Sequence, residues 1–396
     1  MIEFETWWLL TLPLFFGLGW FAAKYDTGGG WRGLGRRNEL PDSYFRGLNF
    51  LLNEQADKAI DAFIDVVRIE PETIELHFAL GNLFRRRGET DRAIRVHQNL
   101  AERSDLQPAE REHALYELGQ DFLKAGLLDR AEDAFNRLEG SRYAAAALDH
   151  RLEIAQMVRD WPQAIELARK LSRENDGSRR RELAQFHCEI AEQALAAQPP
   201  DLETARRELD EATRADPRHP RPLLLAGKAA LADDDAEAAI AAWRGVARAS
   251  PEYLSLAAEG WLDAHQRIGR IDEGIEALEV VQREHPSIDT FAALAQARAA
   301  RDGIAAARAW AEQAMQQAPS LLGLEKLLAM KLQLVDGAER AEVELTQQLI
   351  QAQARRLSRY VCRNCGFKAR QFYWHCPGCN EWDTYAPKRS EELERG

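Results

Sequence analysis

Apolar residues follow two different schedules along this chain. From Trp7 to Ala23 the sequence runs WWLLTLPLFFGLGWFAA, 17 residues without a charge. At a rise of about 1.5 Å per residue, such a helix is just long enough to cross a bilayer. Trp7 and Trp8 stand at one end, Trp20 and Tyr25 at the other, where amphipathic rings favour the interface. After Gly28-Gly29-Gly30 the pattern changes. Apolar positions then recur at the helical spacing and continue to about residue 354.

The first run reads as an uncleaved anchor. Glu3 and Glu5 precede it where a signal peptide needs cations, and no small-residue cleavage site follows. Lys24, Arg32, Arg36, Arg37 and Arg46 all lie after the run and no Lys or Arg lies before it. The positive-inside rule then places the N-terminus outside and the bulk of the chain in the cytoplasm. Gly17, Gly19 and Pro13 leave a notch that admits another membrane helix, although glycine is common in membrane spans in any case.

The second schedule has a longer period. A helix-turn-helix repeat of about 34 residues wants a small residue, Ala, an aromatic and Pro at about positions 8, 20, 24 and 32. Gly47, Ala59, Phe63 and Pro71 meet all four demands. Gly81 and Ala93 recur 34 residues on, with Phe84 on the same face, and Gly119, Ala131 and Phe135 begin another unit. Pro217, Pro251, Pro286 and Pro319 are spaced by 34, 35 and 33 residues. Gly227, Ala239 and Trp243 supply one later unit, Ala295 and Ala307 another, and residues 152–176 and 193–217 read as degenerate copies. This is the tetratricopeptide pattern. It predicts an all-α superhelix of about eight or nine units over residues 39–354, counting a capping helix pair. Each unit buries its apolar stripe only against its neighbours, which leaves an extended surface for another chain.

Composition narrows the function. The chain has 396 residues and a formal net charge of -12, which argues against nucleic-acid binding by the whole surface. It carries no Walker loop, no G-x-S-x-G elbow and no H-E-x-x-H helix, so an enzyme is not expected. His77, His97, His113 and His150 are scattered over the repeats and read as groove or core residues. Arg85, Arg86 and Arg87 precede Gly88 and read as a solvated face. Cys188, alone in an apolar stretch, reads as a small buried hydrophobe.

The other four cysteines form two C-x-x-C knuckles, Cys362/Cys365 and Cys376/Cys379, with ten residues between them. Two such knuckles on a short hairpin bring four thiolates to one tetrahedral ion, in a reducing compartment. A closed four-thiolate shell is structural rather than catalytic, and His375 is surplus to it. Zinc and iron both suit the ligands, with zinc the expected ion. Residues 355–389 carry eight Lys/Arg against Glu381 and Asp383, with Phe372, Tyr373, Trp374, Trp382 and Tyr385 among them. That mixture suits docking onto the acidic array, with the aromatics as a small core, or stacking on single-stranded nucleic acid.

The details Y360-x-C-x-x-C-G-F and W374-x-C-P-x-C-x-x-W382 look like a compressed rubredoxin-type ribbon. The order of anchor, array and ribbon resembles the lipopolysaccharide assembly protein B family of Gram-negative bacteria. The resemblance implies metal ligation by Cys362, Cys365, Cys376 and Cys379. It also implies an adaptor on the inner membrane, anchored by a single span with its N-terminus periplasmic and its bulk cytoplasmic. Such an adaptor regulates lipopolysaccharide (lipid A) synthesis by promoting proteolysis of the committed-step UDP-3-O-acyl-N-acetylglucosamine deacetylase by an FtsH-type membrane AAA+ metalloprotease. A further inner-membrane regulator acting through the anchor, and a homo-oligomer, remain open. The expected layout is an anchor at 1–24, a linker at 25–38, the array at 39–354, the ribbon at 355–389 and a tail at 390–396. Two other readings stay open at this point: a redox scaffold using iron in the ribbon, and a scaffold for single-stranded nucleic acid.

Overall fold

A computed structural model describes residues 13, 15–18, 20, 42–53, 55–69, 73–174 and 179–393. The linker expected at 25–38 and most of the anchor expected at 1–24 lie outside these residues. Residues 13, 15–18 and 20 are helical, with Phe15, Phe16, Leu18 and Trp20 exposed. Among the described residues no helix is long and apolar enough to cross a membrane. Among the described residues, those between 42 and 357 form eighteen α-helices in nine consecutive pairs, as the tetratricopeptide period predicts. The chain divides into two compact units, Met1–Tyr143 and Ala144–Gly396.

The first unit holds three pairs: α1 (Asp42–Leu52) with α2 (Ala56–Ile69), α3 (Ile74–Arg87) with α4 (Thr90–Glu102), and α5 (Pro108–Lys124) with α6 (Leu128–Asn136). In each pair a glycine on the first helix lets a ring from the second come close. Cβ atoms at Gly47 and Gly119 would lie 2.7 Å from Phe63 and Phe135. At Gly81 the ring is His97, and Phe84 serves elsewhere in the core. A histidine in the aromatic position brings polar nitrogens into the core, and burying them is costly without a partner. His97 is fully buried, and its Nδ1 meets Asp121 Oδ2 at 2.5 Å.

That carboxylate reaches further. Arg85 donates to Asp121 at 2.8 Å and to Glu117 at 2.5 Å. Arg85 therefore departs from the solvated face expected for the Arg85–Arg87 run, while Arg86 and Arg87 are exposed. Burial would raise the Glu117 pKa, but His113 and Arg85 outweigh it and hold the carboxyl at about 2.

The second unit continues with α7 (Ala144–Val158), α8 (Trp161–Glu174), α9 (Arg180–Ala196), α10 (Leu202–Ala215), α11 (Pro220–Ala232) and α12 (Ala236–Ala249). A 3-10 turn, Pro251–Ala257, leads to α13 (Ala258–Arg267), α14 (Ile271–Glu284), α15 (Ile288–Asp302), α16 (Ile304–Gln317), α17 (Leu321–Lys331) and α18 (Gly337–Leu357). Asp201, Asp235, Ser287 and Ser320 cap their helices, each side chain accepting an otherwise unpaired N–H of the first turn. Trp243 fills the centre of this unit. Its ring covers Gly227 of α11 and Gly260 of α13, and its Nε1 donates to the Leu224 carbonyl at 3.1 Å.

The close approach at Gly227 makes a prediction. A methyl group there overlaps the Trp243 ring, so Gly227→Ala should destabilise the fold by about 1–3 kcal/mol. Thermal unfolding followed by circular dichroism checks it, and an unchanged midpoint contradicts the packing described.

Candidate metal centre

After α18 come β1 (Tyr360–Val361) and β2 (Lys368–Ala369), an antiparallel pair in register Tyr360↔Ala369 and Val361↔Lys368. The first knuckle lies in the loop between them. Gly366 follows it at φ +76°, a left-handed conformation that favours glycine. Bridges Cys362↔Tyr385 and His375↔Trp382 bring the second knuckle alongside. The ligand atoms of Cys362, Cys365, Cys376 and Cys379 all lie within 4.8 Å of one another. Two of the separations, Cys362–Cys379 and Cys365–Cys376, are 3.8 Å. A tetrahedral ion with metal–sulfur bonds of about 2.3 Å has edges of about 3.8 Å, so the donor set fits.

Backbone amides support the same arrangement: Cys365 N–H points at Cys362 Sγ (3.5 Å) and Gly378 N–H at Cys376 Sγ (3.4 Å). Burial opposes ionisation of Cys362, yet the Cys365 and Asn364 amides and the Thr384 hydroxyl lower its pKa to about 6. The Phe367 amide favours the Cys365 anion, but burial and the other three thiols push this thiol up to about 12. Four such neighbours cannot all ionise without a cation. The four cysteines thus form a potential metal site, and their chemistry does not separate zinc from iron. His375 stays outside the set. Its Nε2 donates to the Asn380 carbonyl at 2.9 Å, and its ring stacks on Trp382 at 4.4 Å.

The ribbon is docked on the array of the second unit. Of the aromatics read as its small core, Phe372, Tyr373 and Tyr385 do pack there with Tyr360. The two tryptophans turn to the array. Trp382 lies 6.0 Å from Trp161 and 5.8 Å from Phe186, and its Nε1 donates to Gln156 Oε1 at 2.7 Å. Trp374 stacks on Tyr253 at 5.4 Å and also has an edge against Phe372.

Between the tryptophans sits Asp383, its side chain 7% exposed. It accepts from Arg181 Nε (2.6 Å), Gln185 Nε2 (2.6 Å) and His219 Nε2 (3.2 Å). His219 Nδ1 accepts the Arg221 N–H at 3.2 Å, which leaves the ring proton on Nε2, facing the carboxylate. Burial raises the Asp383 pKa, but His219 and Arg181 outweigh it and bring the pKa below its ordinary value. The expectation of a basic ribbon on an acidic array holds at Arg389, which pairs with Asp289 at 2.8 Å. At the most buried pair of the seam the signs are reversed.

Residues 390–393, read from sequence as part of a tail, form a short helix, α19 (Ser390–Leu393). Glu391 accepts Leu321 N–H (2.5 Å), Leu322 N–H (3.1 Å) and Ser320 Oγ (3.0 Å), an anion at the N-terminus of α17. Glu392 accepts Ile288 N–H at the start of α15 at 2.8 Å. Beside the seam, ribbon and array share a cavity of about 780 Å³ whose wall includes Arg159, Glu189, Glu192, Arg221, Lys228 and Tyr373. Cys188 is buried as expected, and burial pushes its thiol up to about 12.

Comparison with known proteins accords with this architecture. Residues 360–387 match the family described as "Rubredoxin metal binding domain". The lipopolysaccharide assembly protein B of Escherichia coli (strain K12) is 34% identical over 382 residues, 96% of this chain and 97% of that protein. The chain belongs to the lipopolysaccharide assembly protein B family. The Haemophilus influenzae protein of the same name is 29% identical, covering 97% of this chain and 98% of its own length. Among solved structures, a tetratricopeptide repeat protein from Parabacteroides merdae ATCC 43184 is 14% identical over 73% of this chain, with a TM-score of 0.26.

Within this family member, spacing found the four cysteines but missed the seam. Asp383, Arg181, Gln185 and His219 are separated by up to 202 residues and carry no local motif. Removing the charge tests their role. Asp383→Asn should weaken the seam by about 2 kcal/mol, since Arg181 loses its partner and one donor faces an amide. Because the folded carboxyl has a lowered pKa, the wild-type contribution is present above about pH 4 and is lost as the pH falls further. A lower melting midpoint for Asp383→Asn at neutral pH is expected, and wild-type melting would contradict it.

Proposed function

We propose that this protein is a non-enzymatic adaptor that regulates lipopolysaccharide biosynthesis. The observation that carries the reading is the joint surface: the ribbon and the helical array line one cavity, in a chain of the lipopolysaccharide assembly protein B family. A helical array offers side chains to another protein over a long surface rather than closing a small reaction chamber. The paired sulfur distances suit a closed four-thiolate shell, which leaves no open position for chemistry. In this reading Cys362, Cys365, Cys376 and Cys379 hold one structural ion, zinc or iron. When bound, the ion supplies folding energy to a ribbon too short to build a sufficient core of its own.

The finer assignment extends the same reading. Residues 1–24 anchor the chain in the inner membrane with the N-terminus periplasmic, and 25–38 link the anchor to the array. The array at 39–354 and the ribbon at 355–389 present the lipid A deacetylase to a membrane AAA+ metalloprotease of the FtsH type. Charge placement around the apolar run and the family relationship support it.

In-cell crosslinking and pull-down tests this proposal with three versions of the chain: full length, one lacking residues 1–24, and Cys362→Ser with Cys365→Ser. Full-length protein should recover both protease and deacetylase. Loss of the anchor should remove the protease, and loss of the thiols should remove the deacetylase. Absence of both partners from the full-length sample would overturn the assignment.

A further inference from the structure

Helix α18 closes the helical array and has two unlike faces. Val343 and Ala354 are buried against the rest of the unit. On the other side Leu345 is 60% exposed and Leu349 67%, and Ala341 and Ala352 are exposed beside them. Leucines so exposed on a regular helix contribute little to the fold of one chain. They also do not stand alone. Glu342, Leu349 and Arg356 follow one another at seven-residue spacing, with Leu345 and Ala352 three residues after the first two. That is the spacing of a two-heptad seam, apolar in the middle and charged at its ends.

The charge order along this seam selects its occupant. Glu342 lies seven residues before Leu349 and Arg356 seven residues after it. Turning a second copy of α18 antiparallel about Leu349 places Glu342 of each helix against Arg356 of the other. A twofold interface needs this self-complementarity, in which each contact occurs twice. A parallel copy would instead set Glu342 on Glu342 and Arg356 on Arg356. Both residues are exposed.

We propose that α18 is a homodimerisation helix that pairs antiparallel with α18 of a second copy, centred on Leu349. The interface goes beyond the adaptor reading and does not depend on it. It joins two arrays through the last helix before the ribbon, and an interface of one helix pair belongs among weak or transient associations.

The test uses the full chain and reads self-association by sedimentation velocity, together with disulfide trapping. Leu349→Cys should form a self-crosslink under mild oxidation, because the two copies of residue 349 meet at the axis. Leu349→Asp should weaken self-association at least about a hundredfold while leaving the melting midpoint unchanged. Glu342→Arg and Arg356→Glu should each weaken it about tenfold, and the double reversal should restore it. A dimer that persists in Leu349→Asp, or a double reversal no better than either single change, would overturn the proposal. A protein monomeric at tens of micromolar with no Leu349→Cys crosslink would overturn it equally.

Discussion

The Asp383 carboxylate is taken almost wholly out of water, and a buried charge is costly unless donors replace the solvent it loses. Three donors do so here, and each belongs to the array: Arg181 and Gln185 of α9, and His219 at the cap of α11. Their positions are fixed by repeat packing, while that of Asp383 is fixed by the ribbon. Trp382 against Trp161 and Phe186, and Trp374 against Tyr253, then exclude water from both sides. In the proposed reading the seam forms only if the ribbon is already folded, and so short a ribbon draws on a bound ion to fold. Metal, ribbon and array surface are in this way linked in series.

What the sequence disclosed follows from the range of each interaction. The repeat period is local, since glycine, alanine, aromatic and proline positions all lie within one helix pair. The four cysteines announce themselves because a knuckle needs its two thiols three residues apart. Arg85 shows the limit of local reading. It sits in a run of three arginines before a turn, but Asp121 and Glu117 of the next pair draw it inward. His97 shows another limit, because a histidine stands where the period asks for an aromatic and its partner lies 24 residues away. The helix at 390–393 was illegible for a related reason. Glu391 and Glu392 look like a charged tail until the N-termini of α17 and α15 are placed beside them.

Two surfaces of the second unit have different characters. The seam buries charge and aromatic surface so that ribbon and array present one continuous wall. Helix α18 leaves leucines in water, framed by charges in the order that the proposed inverted copy would complement. A rigid wall suits capture of another protein, and a self-complementary helix suits bringing two such walls together. Neither feature needs a reactive group, which agrees with a closed thiolate site and with an array whose buried histidines are held by hydrogen bonds.

Hydrogen–deuterium exchange of the full chain, before and after chelation of the metal, tests the link from ion to array most directly. The account predicts that removing the ion deprotects the ribbon and, with it, the seam-facing parts of α9, α11 and the 3-10 turn Pro251–Ala257, while α1–α6 keep their protection. Deprotection confined to residues 360–387 would contradict it, because the ribbon would then fold and unfold without any effect on the surface it joins.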